Sequence, residues 1–232
     1  MRKIFQVYWA VFFVVALNLA ALEASDMPAA GGAPASDVHS IAQAVDAHYN
    51  HLHTLQAEFS ETYRGVGIER TESGTLWLKK PGKMRWEYRS PEGKLFLSDG
   101  KHAWLYLPQD RQVRRTPVRS LDDLRSPLAF LLGKAKLEKE LRGLSLAPDV
   151  TPLEPGDVVL RGVPKALAGR VNQVMLEVTA GDRIAGILVE EADGSETEYR
   201  FTAQQENVSV ADQRFQFTPQ PGVEIVEGDF GQ

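Results

Sequence analysis

Residues 74–106 constrain the fold more than any other part of the sequence, because they alternate like β-strands and carry many large apolar side chains. Met84, Trp86 and Tyr88 alternate with charged residues, which is typical of strands that bury one face. The runs are separated by turn sequences, namely Pro81-Gly82, Pro91-Glu92-Gly93 and Asp99-Gly100. The pattern predicts an antiparallel meander. Its aromatic face is covered either by the protein's own core alone or by that core together with an apolar ligand.

The N-terminal residues have the pattern of a secretory signal peptide. Two basic residues, Arg2 and Lys3, precede an apolar run over 4–21, and Ala24 offers a small residue for cleavage. An uncleaved membrane anchor is the alternative, since the run is long enough to span a bilayer. We expect a signal peptide over 1–24, a flexible linker rich in Ala, Gly and Pro over 25–36, and one domain over 37–232.

Composition excludes several classes of site. The chain has no cysteine, so it has no disulfide, no thiolate metal site, no cysteine nucleophile and no cysteine for lipid attachment. An exported protein without disulfides must be stabilised by its core. The formal net charge of −5 argues against a general nucleic-acid-binding protein.

The remaining pattern predicts one α+β domain. Apolar residues recur from Ile41 to Phe59 at helical spacing, which predicts a first helix of about 20 residues behind a cap at Ser36 or Asp37. Ser126-Pro127 predicts the start of a short helix that ends at Gly133. Further strands are expected over 157–161, 173–179, 184–190 and 196–203. Such a sheet either closes into a barrel or stays open under helices, and the two helices favour the open form.

No motif for catalysis or metal binding is present. The sequence lacks the nucleophile elbow, the phosphate-binding loop and the dinucleotide fingerprint, so we expect no enzyme and no cofactor. His48, His51 and His53 cluster but lack the spacing of a zinc motif, which favours a surface role. Basic residues cluster before the short helix. They form a solvated loop, or they contact anionic lipid or the acidic surface of a partner. These residues are Arg111, Arg114, Arg115 and Arg119.

Eight short pieces of the sequence match one known family. They are Leu76-Trp77-Leu78-Lys79-Lys80-Pro81, Met84-Arg85-Trp86, Ser90-Pro91, Leu97-Ser98-Asp99-Gly100-Lys101, Trp104-Leu105-Tyr106, Pro127-Leu128-Ala129-Phe130-Leu131-Leu132, Phe215-Gln216-Phe217-Thr218-Pro219 and Pro221-Gly222-Val223. No single piece is specific, but their order and spacing extend the match over most of the chain after residue 36. By these pieces the chain resembles the LolA family of periplasmic lipoprotein carriers.

The resemblance implies an unclosed antiparallel β-barrel with a helical lid over a hydrophobic cavity. It also implies a periplasmic carrier, expected to be monomeric, that binds the acyl chains of lipoproteins. Such a carrier takes lipoproteins from an inner-membrane ABC transporter and gives them to an outer-membrane receptor lipoprotein, without covalent chemistry. Physical chemistry is consistent with a carrier. Exposing a methylene group to water costs about 0.8 kcal/mol, so three long acyl chains do not leave a membrane unless a protein shields them.

The matching positions and the strand alternation give candidates for the acyl-chain cavity. For each of them, ordinary core packing is the alternative. Met84, where the family often has Phe, could instead touch a partner at the rim or pack in its turn. The candidates are Leu76, Leu78, Met84, Trp86, Tyr88, Phe96, Leu128, Phe130, Leu131 and, on the first helix, Phe59.

Lys80 is the candidate latch of the lid. The resemblance implies an arginine before this proline that hydrogen-bonds to the lid and holds the empty cavity shut. A lysine can also donate to carbonyls, but it lacks the planar fork of the guanidinium, so a looser latch is expected. An exposed lysine at a strand end is the alternative.

Two other functions remain open. The first is a carrier of another lipid or glycolipid, with the same cavity and a different cargo. The second is a lipid-sensing periplasmic regulator of the same fold, which is disfavoured because such regulators carry a second domain beyond the position where this chain ends.

Overall fold

The computed structural model describes residues 37–118, 131, 136–219, 221–228 and 230. The chain begins there with helix α1, Val38–His51, whose buried residues are Ile41, Ala42, Val45 and Tyr49. Leu52 adopts an extended backbone conformation and ends the helix. The prediction of a helix of about 20 residues is therefore wrong at its C-terminal end.

The same correction applies to Phe59, which was expected on the first helix. It lies on a strand whose first six residues alternate between buried and half-buried after Thr54. Leu55, Ala57 and Phe59 thus point to one face of a sheet rather than to one side of a helix. The apolar spacing fits both periods, and the extended backbone at Leu52 decides between them.

In the part of the chain that the structure describes, twelve strands follow α1, together with one short α-helix. The strands are β1 Thr54–Gly65, β2 Ile68–Lys79, β3 Lys83–Ser90, β4 Leu95–Asp99, β5 His102–Leu107, β6 Gln112–Pro117, β7 Leu141–Leu146, β8 Val158–Pro164, β9 Val171–Val178, β10 Ile184–Glu191, β11 Glu196–Glu206 and β12 Glu224–Glu227. Helix α2, Leu137–Glu140, precedes β7.

All twelve strands belong to one open sheet. Their order is β12-β6-β5-β4-β3-β2-β1-β11-β10-β9-β8-β7, so β12 and β7 are its two ends. Neighbours pair in antiparallel fashion except β12, which pairs with β6 in parallel. The predicted fold class, an unclosed antiparallel sheet with helices, is confirmed. The short helix predicted near residues 128–132 lies outside the described residues apart from Leu131.

The predicted meander is confirmed over β2 to β5. Its turns are closed by Gly82, Gly93 and Gly100, and each of these has a positive φ that a side chain would strain. The strands expected over 157–161, 173–179, 184–190 and 196–203 are β8 to β11, with ends that differ from the expected ones by at most three residues. In the part of the chain that the structure describes, no helix is long and apolar enough to cross a membrane.

The sheet buries residues on both faces. We call the face covered by α1 the inner face. The main hydrophobic cluster lies there and joins α1 to β1–β3 and β8–β11. The other face, here the outer face, is covered over β2–β5 by the segment 208–217, in which Phe215 is 1% exposed.

Candidate functional site

The centre of the inner face is a cluster of aromatic rings contributed by β1, β3 and β11. The ring of Phe59 lies 4.7 Å from that of Trp86 and 5.0 Å from that of Tyr88, both in edge-to-face geometry. The Trp86 ring is 6.0 Å from Tyr199 and 6.2 Å from Phe201. Edge-to-face pairs add about 0.5–1.5 kcal/mol each beyond area burial, so this aromatic cluster is a strong centre of packing.

A glycine on β2 makes room for the cluster. Gly74 lies directly between Phe59 on β1 and Tyr88 on β3 in the strand register. A Cβ atom at Gly74 would lie 2.0 Å from the carbonyl oxygen of Glu87 and 2.9 Å from the Phe59 ring. The register shifts by one residue at this point, which is a β-bulge, and glycine in a strand interior commonly marks one.

One end of the inner face, on the α1 side of the aromatic cluster, is apolar. Leu55 on β1 pairs with Leu78 on β2, which pairs with Met84 on β3. One step nearer the cluster, Leu76 pairs with Trp86. All of these side chains are at most 9% exposed. Apart from the Trp86 indole and the Met84 thioether, these side chains offer only hydrocarbon to whatever lies against them.

The other end of the inner face, beyond the aromatic cluster, is polar. Glu61 accepts hydrogen bonds from the hydroxyls of Tyr88, at 3.0 Å, and Tyr199, at 3.4 Å. Glu72, its cross-strand neighbour, pairs with Lys94. The Lys94 ammonium also lies 4.2 Å above the Tyr88 ring.

Burial controls the protonation of this polar end. Removal from water raises the pKa of Glu61, although the Lys94 charge and the Tyr88 hydrogen bond oppose that shift. Burial and the Glu61 charge raise the pKa of Tyr88 and of Tyr199, so both tyrosines remain neutral donors. The inner face therefore changes from hydrocarbon to hydrogen-bonding groups along the strand direction.

Lys80 fastens α1 to the β2–β3 turn. Its ammonium donates to the carbonyl oxygens of Tyr49 and Asn50 in the last turn of α1, the second at 3.1 Å. A cation at a helix C-terminus meets the negative end of the helix dipole. Burial lowers the pKa of Lys80, so part of this attraction is offset by the loss of water. The contact observed is with α1, and residues 119–130 lie outside the described part of the chain.

Two further hydrogen bonds hold α1 in place. The Tyr49 hydroxyl accepts from the backbone N–H of Ile184 at 3.0 Å, at the start of β10. The Asp46 carboxylate accepts from the backbone N–H of Leu137 at 3.0 Å, where α2 begins. Each bond joins a helix residue to an element distant in sequence, so α1 is tied both to the start of β10 and to the start of α2.

The structure places the predicted cavity residues as follows. Leu76, Leu78, Met84, Trp86, Tyr88 and Phe59 all belong to the main hydrophobic cluster of the inner face, and Phe96 packs against it half-buried. Leu131 belongs to the same cluster and is 3% exposed. Leu128 and Phe130 lie outside the described residues. Trp104, which is not among the cavity candidates, lies on the outer face, where its ring stacks on that of Phe217 with 6.1 Å between the ring centroids.

The histidines and the basic residues are engaged in local contacts. His48 pairs with Glu206 at 3.0 Å, and His51 hydrogen-bonds to the carbonyl of Ala47. No group of three metal-ligating side chains occurs among the described residues. Arg115 pairs with Glu227 of β12 at 3.0 Å, so part of the predicted basic cluster binds the C-terminal strand.

The polar end was missed by sequence reasoning. Its members come from β1, β2, β3, β11 and the turn before β4, and only the strand register brings them together. Strand alternation carries a usable signal, because Glu61 continues the series Ala57 and Phe59 on one face. The alternation that places Phe201 and Tyr199 on one face gives the same signal.

The sequence matches a known family and several known proteins. A family model described as "Outer membrane lipoprotein carrier protein LolA" matches residues 50–218. The outer-membrane lipoprotein carrier protein of Chromobacterium violaceum is 31% identical over 205 residues, covering 87% of this chain and 94% of that protein. That of Dechloromonas aromatica is 32% identical over 176 residues, with 75% and 81% covered.

A solved structure resembles the fold. An uncharacterized conserved protein from Thermus thermophilus superimposes with a TM-score of 0.53 at 14% identity, covering 82% of this chain and 98% of that one. This likeness concerns the fold alone. The family model and the sequence relatives together show that the chain belongs to the LolA family of outer membrane lipoprotein carrier proteins.

Proposed function

We propose that this protein is a periplasmic carrier that binds the acyl chains of lipoproteins released from the inner membrane and delivers them to the outer membrane. Membership of the LolA family is the observation that carries the proposal. Residues 1–24 act as its signal peptide, 25–36 as a linker, and 37–232 as a single carrier domain. It works as a monomer, with an ABC transporter as donor and a receptor lipoprotein as acceptor.

The inner face supports this proposal physically. Acyl chains need an apolar surface that shields them from water and forms no strong polar bonds that would have to break on release. Each buried methylene contributes about 0.8 kcal/mol. The apolar half of the inner face consists of leucines, Met84 and the aromatic cluster. Large aromatic side chains and flexible thioethers can pack on one another when the site is empty and on hydrocarbon when it is filled.

Helix α1 and Leu131 serve as the cover of that surface. Both contribute to the same hydrophobic cluster, so acyl chains must displace them to reach the sheet. Lys80 acts as the latch, because it ties the end of α1 to the β2–β3 turn through two carbonyls. When this latch opens, the ammonium and the carbonyl oxygens are hydrated by water again, so no buried polar group is left unpaired.

A release assay tests the proposal. Spheroplasts that make labelled lipoproteins are incubated with the purified protein, and the supernatant is examined for lipoprotein in one-to-one complex. We expect release that needs both the protein and ATP. Copurification of another lipid without release would replace the proposal by a carrier of that lipid. Absence of both release and bound lipid would refute a carrier role.

A matched pair of variants ties release to the inner face. Phe59→Ala removes a ring from the aromatic cluster, whereas Phe217→Ala removes a ring that stacks on Trp104 on the outer face. We expect the first to reduce release severalfold and the second to leave it near wild type, once both are shown to be folded by circular dichroism. Equal effects would argue against acyl binding at the inner face.

A further inference from the structure

The indole N–H of Trp86 has no hydrogen-bond partner in the part of the chain that the structure describes, although the side chain is only 2% exposed. A buried indole N–H usually finds an acceptor, since leaving it unpaired loses its hydration without replacement. Among the described residues of the inner face, Trp86 is therefore an unpaired donor, and it lies among side chains expected to meet the cargo.

The neighbours of Trp86 do not supply the missing acceptor. Its ring is surrounded by those of Phe59, Tyr199 and Phe201 at interplanar angles of 67–70°. Aromatic faces are weak acceptors compared with a carbonyl oxygen. The hydroxyl of Tyr199 is directed to Glu61. A phenylalanine could fill an aromatic position of this kind without an unpaired polar atom, so the N–H has a cost in the empty protein.

A trapped water molecule is a poor explanation. A buried water needs two to four polar partners, and the three nearest rings provide few. The donor instead fits a ligand that brings one acceptor on an otherwise apolar body. That description matches the carbonyl group at the head of an acyl chain.

The position of Trp86 along the strand agrees with such a ligand. Met84, two residues before it, lies at the apolar end of the inner face, and Tyr88, two residues after it, belongs to the polar end with Glu61. An acyl chain joined through an ester or amide has hydrocarbon on one side of its carbonyl and a polar head on the other. Its carbonyl would thus lie at the boundary where Trp86 lies.

We propose that Trp86 Nε1 donates a hydrogen bond to an ester or amide carbonyl of the bound lipid and so selects acylated cargo over hydrocarbon of the same shape. The inference rests on the proposed carrier function and adds a specificity-determining residue to it. In this arrangement the acyl tails lie over Leu76 and Met84, and the polar head with its attached peptide lies towards Glu61 and Lys94.

Two lipopeptides that differ only in their linkage test the inference. One carries two palmitoyl esters on its glyceryl-cysteine and the other carries two hexadecyl ethers, and each is used to displace a fluorescent fatty acid from protein purified from the periplasm. One hydrogen bond to a neutral carbonyl corresponds to about a 3- to 10-fold difference in affinity. We expect the diester to bind more tightly by that factor.

Two variants locate the effect. Trp86→Phe should bind both lipopeptides with equal affinity, because the donor is gone. Trp104→Phe, on the outer face, should keep the preference for the diester. Proton NMR of the indole N–H groups tests the wild-type protein directly, with variants used only to assign the resonances. The Trp86 resonance should move downfield when the diester binds and should not move when the diether binds. The resonances of Trp77 and Trp104 should stay in place with both.

The outcomes separate this inference from the carrier function. Equal binding of diester and diether by the wild type, with no movement of the Trp86 resonance, overturns the role of Trp86 and leaves the carrier function intact. Failure of both lipopeptides to bind overturns both. A preference for the diester that survives in Trp86→Phe assigns the recognition to another residue and refutes the proposal.

Discussion

Gly74 is the residue at which one added methyl group should do the most damage. In Gly74→Ala the new Cβ would lie 2.0 Å from the Glu87 carbonyl oxygen, whereas carbon and oxygen atoms ordinarily approach to about 3.3 Å. Strand β3 would have to move by about 1 Å, or Phe59 and the backbone at the bulge would have to rearrange. The contact is with backbone, so no side-chain rotation relieves it.

The expected loss of stability has two sources, overpacking and weakened hydrogen bonds between strands. Overpacking costs about 1–3 kcal/mol, and one or two weakened ladder hydrogen bonds cost about 1 kcal/mol each. We expect the free energy of unfolding to fall by about 3 kcal/mol, which lowers the Tm of a domain of this size by about 6–12 °C. Urea and thermal unfolding followed by circular dichroism measure both values.

Gly186→Ala is the matched control. Gly186 is also a strand glycine, but a Cβ there would meet its nearest atoms at 3.4 Å and 3.6 Å, which is ordinary contact. Alanine is favoured over glycine in a strand interior, so the change in the free energy of unfolding should be below about 1 kcal/mol. The reasoning from close approach is refuted if the free energy of unfolding of Gly74→Ala lies within about 1 kcal/mol of the wild-type value, or if it is not lower than that of Gly186→Ala.

Three other substitutions, two of them with a matched control, have expected outcomes. Lys80→Leu should speed the uptake and release of lipoprotein in the spheroplast assay, because the latch to α1 is lost, whereas the exposed Lys101→Leu should not; unchanged rates would remove Lys80 from the mechanism. Tyr49→Phe should lower the free energy of unfolding by about 1–3 kcal/mol, because an N–H at the start of β10 loses its acceptor. Tyr106→Phe, on the β5–β6 hairpin, should stay within about 0.5 kcal/mol of the wild type; similar losses in both would contradict this assignment. Burial raises the pKa of Glu61 above its unfolded value near 4.5, so the folded state binds this proton more tightly. The wild type should therefore gain stability relative to Glu61→Gln as the pH falls from neutral towards 4.5, and a difference that does not change with pH would contradict the assignment.

The meander could be predicted because its determinants are local. Met84, Trp86 and Tyr88 share a face through the pleat alone, and glycines such as Gly82 mark the turns by their backbone freedom. Neither requirement depends on distant residues. The strand faces were therefore available from sequence, together with the assignment of the aromatic side chains to one side of the sheet.

The end of α1 could not be predicted in the same way. Leu52, Leu55 and Phe59 fit a helical spacing of three to four residues, yet Leu55 and Phe59 also fit strand alternation. The choice is made by tertiary contacts, since β1 pairs with β2 and with β11 along most of its length. Pairing with β11 joins residues that are far apart in the sequence and leaves no local mark.

The outer face escaped prediction for a related reason. Val113 of β6 pairs in parallel with Ile225 of β12, and Asp212 bridges Lys79 and Lys83. These contacts join the end of the chain to its middle. The resemblance to the family included the motif around Phe215, but the motif itself does not say which face of the sheet it covers.

The open edge of the sheet has a mechanical consequence. In a closed barrel the circumference is fixed by the number and stagger of strands, so the interior cannot widen unless ladder hydrogen bonds break. Here β7 and β12 end the strand order instead of completing a ring. The sheet can flatten or tighten by small changes of twist between neighbours while every inter-strand bond stays made. An open sheet of this kind can adjust its width to long and to short ligands, while its backbone hydrogen bonds stay unchanged.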